Sequence, residues 1–272
     1  SEMCIRDRCL AAIARRTQRL RLATTSLLLP IHHPLRIAGE IATLDHLSGG
    51  RVIVGLGRGF RAPLFEAFGI DPATKRDRFD HALDAMLRAW ASEHASLAKT
   101  PFAQDPAPPE RAPTRPLQDP HPPLAVAAFG RLGLRQAARR ALPYLASPIE
   151  PFDLIRENLA VHRDAWPQGA DPAGQVVPVM RTVFVCDDAA AGARVLARLE
   201  AENRPPRTGE SLPPALARAL AAPIADRVIV GGVSEVVDRL AAYREQLGMN
   251  LLVVRGRVAG VATADDEQVH PQ

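Results

Sequence analysis

The sequence predicts an α/β protein built on a parallel sheet. Two observations carry this. Short apolar strands alternate serially with helices whose hydrophobic residues recur at helical spacing, giving six βα units. The strands are apolar along nearly their whole length, as strands covered by helices on both faces must be.

Leu20 to Leu29 is the first β-rich run, and Pro34 opens a helix striped by Ile37, Ile41, Leu44 and Leu47 that stops at Ser48-Gly49-Gly50. Arg51 to Val54 is a short strand entering a glycine-rich turn, and Phe79, Leu83, Leu87 and Trp90 stripe the next helix. Between Pro101 and Pro123 lie nine of the 25 prolines, too many for a helix or a central strand, so a surface excursion is expected there. Leu124 to Ala128 reads as a strand, Leu134 to Arg140 as a helix, Leu142 to Ala146 as a strand and Leu154 to His162 as a helix. Val176 to Val185 is the next strand, after which Asp188 caps a helix bearing Val195 and Leu199. Pro205 to Pro223 reads as a second irregular crossing. Ser234 then caps a helix with Val237, Leu240 and Leu247 on one face, Gly248 ends it, and Leu251 to Val254 is the last strand.

Serial alternation fits a doubly wound sheet or a closed barrel, and the pattern by itself leaves both open. A full (β/α)₈ barrel takes about 250 residues or more. Six strands with an abrupt entry suit a barrel lacking its first two strands, with its free edges at the strands near Leu20 and Leu251.

Composition narrows the function classes. The chain has 272 residues, 47% hydrophobic and 24% charged, enough for a sizeable core. A sequence pI of about 9.4 accompanies a net charge of only +4, with acids interleaved among bases and neither basic clusters nor interleaved aromatics, so nucleic-acid binding is not expected. No apolar run reaches the roughly 18 residues of a membrane span. Three cysteines, Cys4, Cys9 and Cys186, lack metal-ligand spacing and form no disulfide framework; no metal is expected, and a reducing cytoplasm is the simplest setting. Residues 1 to 8, Ser-Glu-Met-Cys-Ile-Arg-Asp-Arg, have neither a signal-peptide nor a transit-peptide pattern. They resemble a sequencing adapter translated in one frame. The expected organisation is therefore a non-native segment 1–8, a partial barrel domain 9–256 with excursions at 101–123 and 205–223, and a tail 257–272.

Two turns carry candidate chemistry. Val52-Ile53-Val54-Gly55-Leu56-Gly57-Arg58-Gly59 places three glycines and an arginine at the C-terminal end of a strand, where α/β proteins build their sites. The glycines admit backbone N–H groups to a ligand, and Arg58 offers a fork of donors matched to a phosphate. They can equally serve packing, and the third glycine of a dinucleotide fingerprint would fall at Phe60. Phe129-Gly130-Arg131-Leu132-Gly133-Leu134, between a strand and a helix, offers N–H groups of Gly130, Gly133 and Leu134 and a positive helix end to an anion. The eight histidines form no H-E-x-x-H, there is no G-x-S-x-G elbow, and Cys186 lies beside Asp187 and Asp188, which disfavours a thiolate. Hydrolase mechanisms lack support.

The run Leu22-Ala-Thr-Thr-Ser-Leu-Leu-Leu-Pro30-Ile-His-His-Pro34, continuing through Ala38, Leu44 and Asp45 to Leu47-Ser48-Gly49-Gly50-Arg51, closely resembles the bacterial luciferase-like family of flavin-dependent oxidoreductases. The likeness extends through Gly55, Arg58-Gly59 and Phe68-Gly69 and, more weakly, through 123–148, 179–187 and 229–255, about three quarters of the chain. It implies an incomplete luciferase-like (β/α)₈ barrel, with its first two strands missing, that holds FMN, or a deazaflavin coenzyme in sister subfamilies, at the strand C-termini. Arg58 falls where bacterial luciferase grips the flavin phosphate. Gly130 and Gly133 stand where the family's second phosphate loop carries hydroxyl residues, and Gly57 replaces the cysteine that luciferase sets beside the flavin, which argues against bioluminescence. The family's non-prolyl cis peptide maps to Thr25 and Ser26. The catalytic histidine loop would precede Cys9, so no catalytic residue is assigned. The implied reaction is oxidation of a small organic substrate by reduced flavin and O₂, with a flavin reductase and a homodimer as the implied partners. A deazaflavin-dependent hydride transfer and an inactive fragment serving as an interaction surface are the alternatives.

Overall fold

The computed structural model describes residues 2–91, 100–102, 114–169, 176–186, 188–202, 212 and 214–255, with backbone alone for 2–8. The chain divides into two compact units, Ser1–Ala127 and Ala128–Gln272.

In the first unit, α1 (Glu2–Arg16) precedes β1 (Leu22–Leu28), a 3₁₀ turn (Leu29–Ile31), α2 (Pro34–Ser48), β2 (Val52–Gly57), α3 (Ala62–Ala67), a second 3₁₀ turn (Pro72–Thr74), α4 (Lys75–Trp90) and β3 (Leu124–Ala127). β1, β2 and β3 are parallel neighbours in that order, with Leu22 opposite Val52 and Val54 opposite Leu124. Pro34 starts α2 where no backbone N–H is needed, and Gly49, left-handed at φ 67°, ends it. The Asp45-to-Arg51 signature is a structural clasp. The fully buried Asp45 carboxylate accepts the Gln118 N–H at 2.9 Å and the Gln118 Nε2 at 2.7 Å, while Nε2 also donates to the Val52 carbonyl. The Arg51 guanidinium donates to carbonyls of Ala14, Thr17, Leu20 and Ser48 and to the Thr17 hydroxyl, tying the end of α1 and the start of β1 to the entry of β2. Replacing Arg51 with Met is expected to cost about 2 kcal/mol in urea unfolding, because several half-buried carbonyls lose a charged donor at once. An unchanged unfolding midpoint would contradict the clasp.

The second unit contains α5 (Arg131–Arg139), β4 (Tyr144–Leu145), α6 (Phe152–Asp164), β5 (Pro178–Val185), α7 (Ala189–Glu202), α8 (Pro214–Ala221), α9 (Ile224–Arg227), β6 (Val228–Gly231), α10 (Val233–Leu247) and β7 (Leu251–Arg255). β5 is the central strand: β7 pairs in parallel along Pro178–Thr182 and β6 along Thr182–Val185 on the opposite flank. Ala146, just past β4, bridges in parallel to Val179. Leu134, Ile155, Leu159, Val179, Ile229, Val236 and Leu247 form the main core, and Phe184, Val195, Leu199, Val228 and Val230 a second one on α7.

The architecture is α/β with parallel strands throughout, and the described residues contain no closed eight-stranded ladder. No helix among them is long and apolar enough to cross a membrane. β1 and β7 end their ladders as expected, but the strand count was one short. β6 is a seventh strand, only four residues long, which abuts α9 with no turn residue between and so shows no separate signal. The 205–223 crossing is not wholly irregular. Pro214 opens α8, where the first helical residue needs no N–H, and the alanines and leucines that follow are strong helix formers. The N-cap of α10 is Gly232 rather than Ser234, and its buried face runs through Val236, Tyr243 and Leu247 while Val237 is exposed. In α4, Met86 joins the buried face and Leu87 is only half-buried. Asp188 does cap its helix, accepting the Ala191 N–H at 2.6 Å. Residues 103–113, 203–211 and 256–272, parts of the expected excursions and tail, lie outside the described residues.

Candidate functional site

In the first unit the C-terminal ends of β1 and β2 meet at Ser26 and Gly57. The Thr25–Ser26 peptide is cis, and the β1–β2 register shifts between Thr25 and Leu27. Below it the buried Thr24 hydroxyl donates to the Gly55 carbonyl at 3.1 Å, fixing the strand pair. A Cβ on Gly57 would overlap the Ser26 hydroxyl and lie 3.0 Å from Leu28 Cδ2, so the Ser26 side chain takes the space that any residue at 57 would need. Gly57→Ala is expected to lose about 2 kcal/mol by overpacking, most of it recovered when Ser26→Gly is added. Equal losses in the single and double variants, measured by urea unfolding, would disprove this complementarity. Gly59 is constrained twice, by its φ of 72° and by the Phe65 ring, 2.9 Å from where a Cβ would stand.

Arg58, between these glycines, faces the start of α4. Burial and then Arg76 pull its guanidinium below the ordinary arginine range, and Asp80 partly offsets them. Lys75 is likewise lowered, by burial, then by Arg58 and Arg76. Three cations are thus near enough to repel one another, with Asp80 as the acid that offsets the repulsion at Arg58. Lys75 and Arg76 also stand in the first turn of α4 beside Asp77, at the helix end whose dipole disfavours cations. Cations gathered against both mutual repulsion and a helix dipole, with Asp77 and Asp80 beside them, are a donor set that an anionic group would suit. A phosphate would relieve both costs, so the donor set fits the phosphate end of FMN. The sequence singles out Arg58 but not Lys75 or Arg76, which the structure brings within its electrostatic reach. In sequence they are part of a Lys-Arg-Asp-Arg charge run, which reads as a solvated helix start.

Arg78, in that same run, is structural: it donates to the Pro30 carbonyl at 2.8 Å and the Pro101 carbonyl at 2.9 Å and covers the Phe102 ring at 4.2 Å. His32 closes the 3₁₀ turn after β1, and His33 is the N-cap of α2, its ring edge-on to Phe102. Phe60 and Phe68, on either side of α3, are exposed.

In the second unit, Gly130 is the N-cap of α5 in extended conformation. The Gly133 and Leu134 N–H groups do not stay open: both donate to the Gly130 carbonyl, at 2.9 and 3.0 Å. In a helix start of this kind the first-turn donors that face outward belong to the residues next to the cap, here Arg131 and Leu132. Gly133 and Leu134 are buried within the helix packing.

A family model described as luciferase-like monooxygenase matches residues 9–250. Limonene 1,2-monooxygenase of Rhodococcus erythropolis is 43% identical over 84 residues, 31% of this chain and 22% of that protein. The oxygenase component of the flavin-dependent trigonelline monooxygenase of Acinetobacter baylyi is 27% identical over 181 residues, 65% of this chain and 49% of that one. The chain thus spans about half or less of these curated relatives. Among solved structures, a monooxygenase from Streptomyces bottropensis superposes with a TM-score of 0.70 at 25% identity, covering 94% of this chain and 77% of that one. The oxygenating constituent of 3,6-diketocamphane monooxygenase of Pseudomonas putida, in complex with FMN, gives 0.65 at 22% identity over 93% and 77%. An F420-dependent secondary alcohol dehydrogenase gives 0.65 at 18% identity over 91% and 77%, a likeness of fold.

Proposed function

The chain belongs to the luciferase-like monooxygenase family, and from that premise we propose that it acts as a flavin-dependent oxidoreductase that uses reduced FMN and O₂ to oxidise a small organic substrate. The observation that carries this reading is the crowding of Arg58, Lys75 and Arg76 at the C-terminal end of β2. FMN, when bound, supplies the redox chemistry. The protein's part is binding, orientation and exclusion of water. Arg58 binds the phosphate as a fork of charge-assisted donors, with Lys75 and Arg76 adding charge. Thr25 and Ser26 support the flavin ring, and Gly57 lets the Ser26 side chain pack against β2 beneath it. The start of α5, through Gly130 and the Arg131 and Leu132 N–H groups, is the element of the second unit suited to an anion; Gly133 and Leu134 shape that turn. Exposed Phe60 and Phe68 offer apolar surface from which water is readily displaced. The trigonelline relative is an oxygenase component, which supports a separate reductase as the source of reduced flavin.

A deazaflavin-dependent hydride transfer is the second reading, supported by the F420-dependent dehydrogenase among the neighbours. Incubating the protein separately with FMN and with F420, removing free cofactor and recording the absorption spectrum distinguishes them. Retained FMN is the expected result. Retention of F420 alone would transfer the assignment to hydride transfer, and retention of neither would leave an interaction surface as the better account.

A further inference from the structure

The turn after β4, Ser147-Pro148-Ile149-Glu150, holds a fully buried acid at the C-terminal side of a parallel strand. Glu150 Oε1 accepts the Tyr144 hydroxyl at 2.6 Å and Asn158 Nδ2 at 2.6 Å, and Oε2 accepts the Ser147 N–H at 2.7 Å. From the other side, the fully buried Arg181 of β5 donates through Nη1 to the Ser147 carbonyl at 2.9 Å. One residue's N–H is therefore held by a buried acid and its C=O by a buried base. The other titratable groups packed here are Tyr243 of α10, whose ring lies 5.0 Å from the Arg181 guanidinium carbon, and His162 of α6, 6.3 Å from the Tyr144 ring.

We propose that Glu150 and Arg181 form a proton-operated latch on Ser147, which grips the turn after β4 when Glu150 is ionised and holds the Ser147 N–H more weakly when Glu150 takes up a proton. The donor count says where the proton goes. Oε1 already accepts two hydrogen bonds and Oε2 only one, so a proton from solvent adds to Oε2, the oxygen that holds Ser147. The Ser147 N–H bond then loses its charge assistance, because a neutral hydroxyl oxygen is a weaker acceptor, and Arg181 is left buried opposite a neutral acid, which loosens the base side as well. The balance lies near neutrality. Burial raises Glu150 from an ordinary 4.5 to about 7 against the opposing pull of Tyr144, the Ser147 N–H, Arg181 and Asn158. Arg181 is itself lowered by burial and supported by Tyr243, Glu150 and Tyr144.

The chain's two tyrosines, Tyr144 and Tyr243, are both in this cluster, so derivative near-ultraviolet tyrosine absorbance reports on it alone. In the 272-residue chain, titration from mildly acid to mildly alkaline pH is expected to show a one-proton step with its midpoint near 7. The step should vanish in Glu150→Gln and move to higher pH in Arg181→Met, which removes the cation that favours the ionised acid. In the unmodified protein, a protonated-carboxyl infrared band should grow as the pH is lowered through the same step, together with faster exchange of the Ser147 amide after correction for intrinsic rate. A step that persists in Glu150→Gln, or an unmodified protein with neither the tyrosine step nor the infrared band, would overturn the latch.

Discussion

Arg58→Ala is expected to weaken FMN binding by roughly 1 to 3 kcal/mol, about 5- to 150-fold in Kd, the range for removing a charge-assisted hydrogen bond from a partly buried site. The cluster makes the size of the effect diagnostic. Lys75 and Arg76 lower or crowd the same field, so Lys75→Ala should cost less, because the remaining cations repel each other less once one is gone. Isothermal titration of FMN at two salt concentrations checks this: affinity should fall with salt in the unmodified protein, and less steeply in Arg58→Ala. Arg58→Lys should recover only part of the loss, since a point charge cannot reproduce the fork. An Arg58→Ala variant with unaltered affinity would remove the phosphate assignment.

Glu150 makes folding stability depend on pH in a direction opposite to most carboxylates. Its folded pKa lies above its ordinary value, at about 7 against 4.5. Its contribution is therefore complete below about pH 4.5, where folded and unfolded chains both hold the proton. It declines between 4.5 and 7, where only the folded chain does, and is constant above that. At about 1.4 kcal/mol per pH unit the decline is on the order of 3 kcal/mol. His162 acts the other way. Burial lowers its pKa, so the stability it contributes above its ordinary 6.5 is lost as pH falls. The Glu150 part is isolated by comparison with Glu150→Gln: the stability difference between the two proteins in urea should narrow by about 3 kcal/mol from pH 4.5 to pH 7. A difference independent of pH would contradict the buried-acid account.

Much of the fold was legible because its elements announce themselves locally. Pro34 and Gly49 bound α2, Gly248 ends α10, and apolar runs at Leu22 and Pro178 mark β1 and β5. The misses share a physical cause: tertiary context decided what local pattern could not. β6 is four apolar residues against a helix end, and its place on the far flank of β5 breaks the serial order that βα alternation suggests. The site divides in the same way. Arg58 stands out in a glycine turn, whereas Lys75 and Arg76 acquire meaning only when α4 folds back toward that turn. The signature Asp45-to-Arg51 run, the most conspicuous motif in the chain, proves to be a clasp that holds β2 rather than a chemical site. Glu150 sits between an isoleucine and a proline in a turn that reads as surface loop. Its signal was the uncharged run 141–149 that precedes it and the nearness of Tyr144 and Asn158, which supply its donors.

The most direct test of the central claim, that Arg58, Lys75 and Arg76 are built for a flavin phosphate, is the affinity of the protein for FMN relative to riboflavin, which has the same ring without the phosphate. FMN is expected to bind tenfold or more tightly, on the order of 1.4 kcal/mol, and the preference should collapse in Arg58→Ala while riboflavin affinity stays unchanged. Equal binding of FMN and riboflavin by the unmodified protein would contradict it.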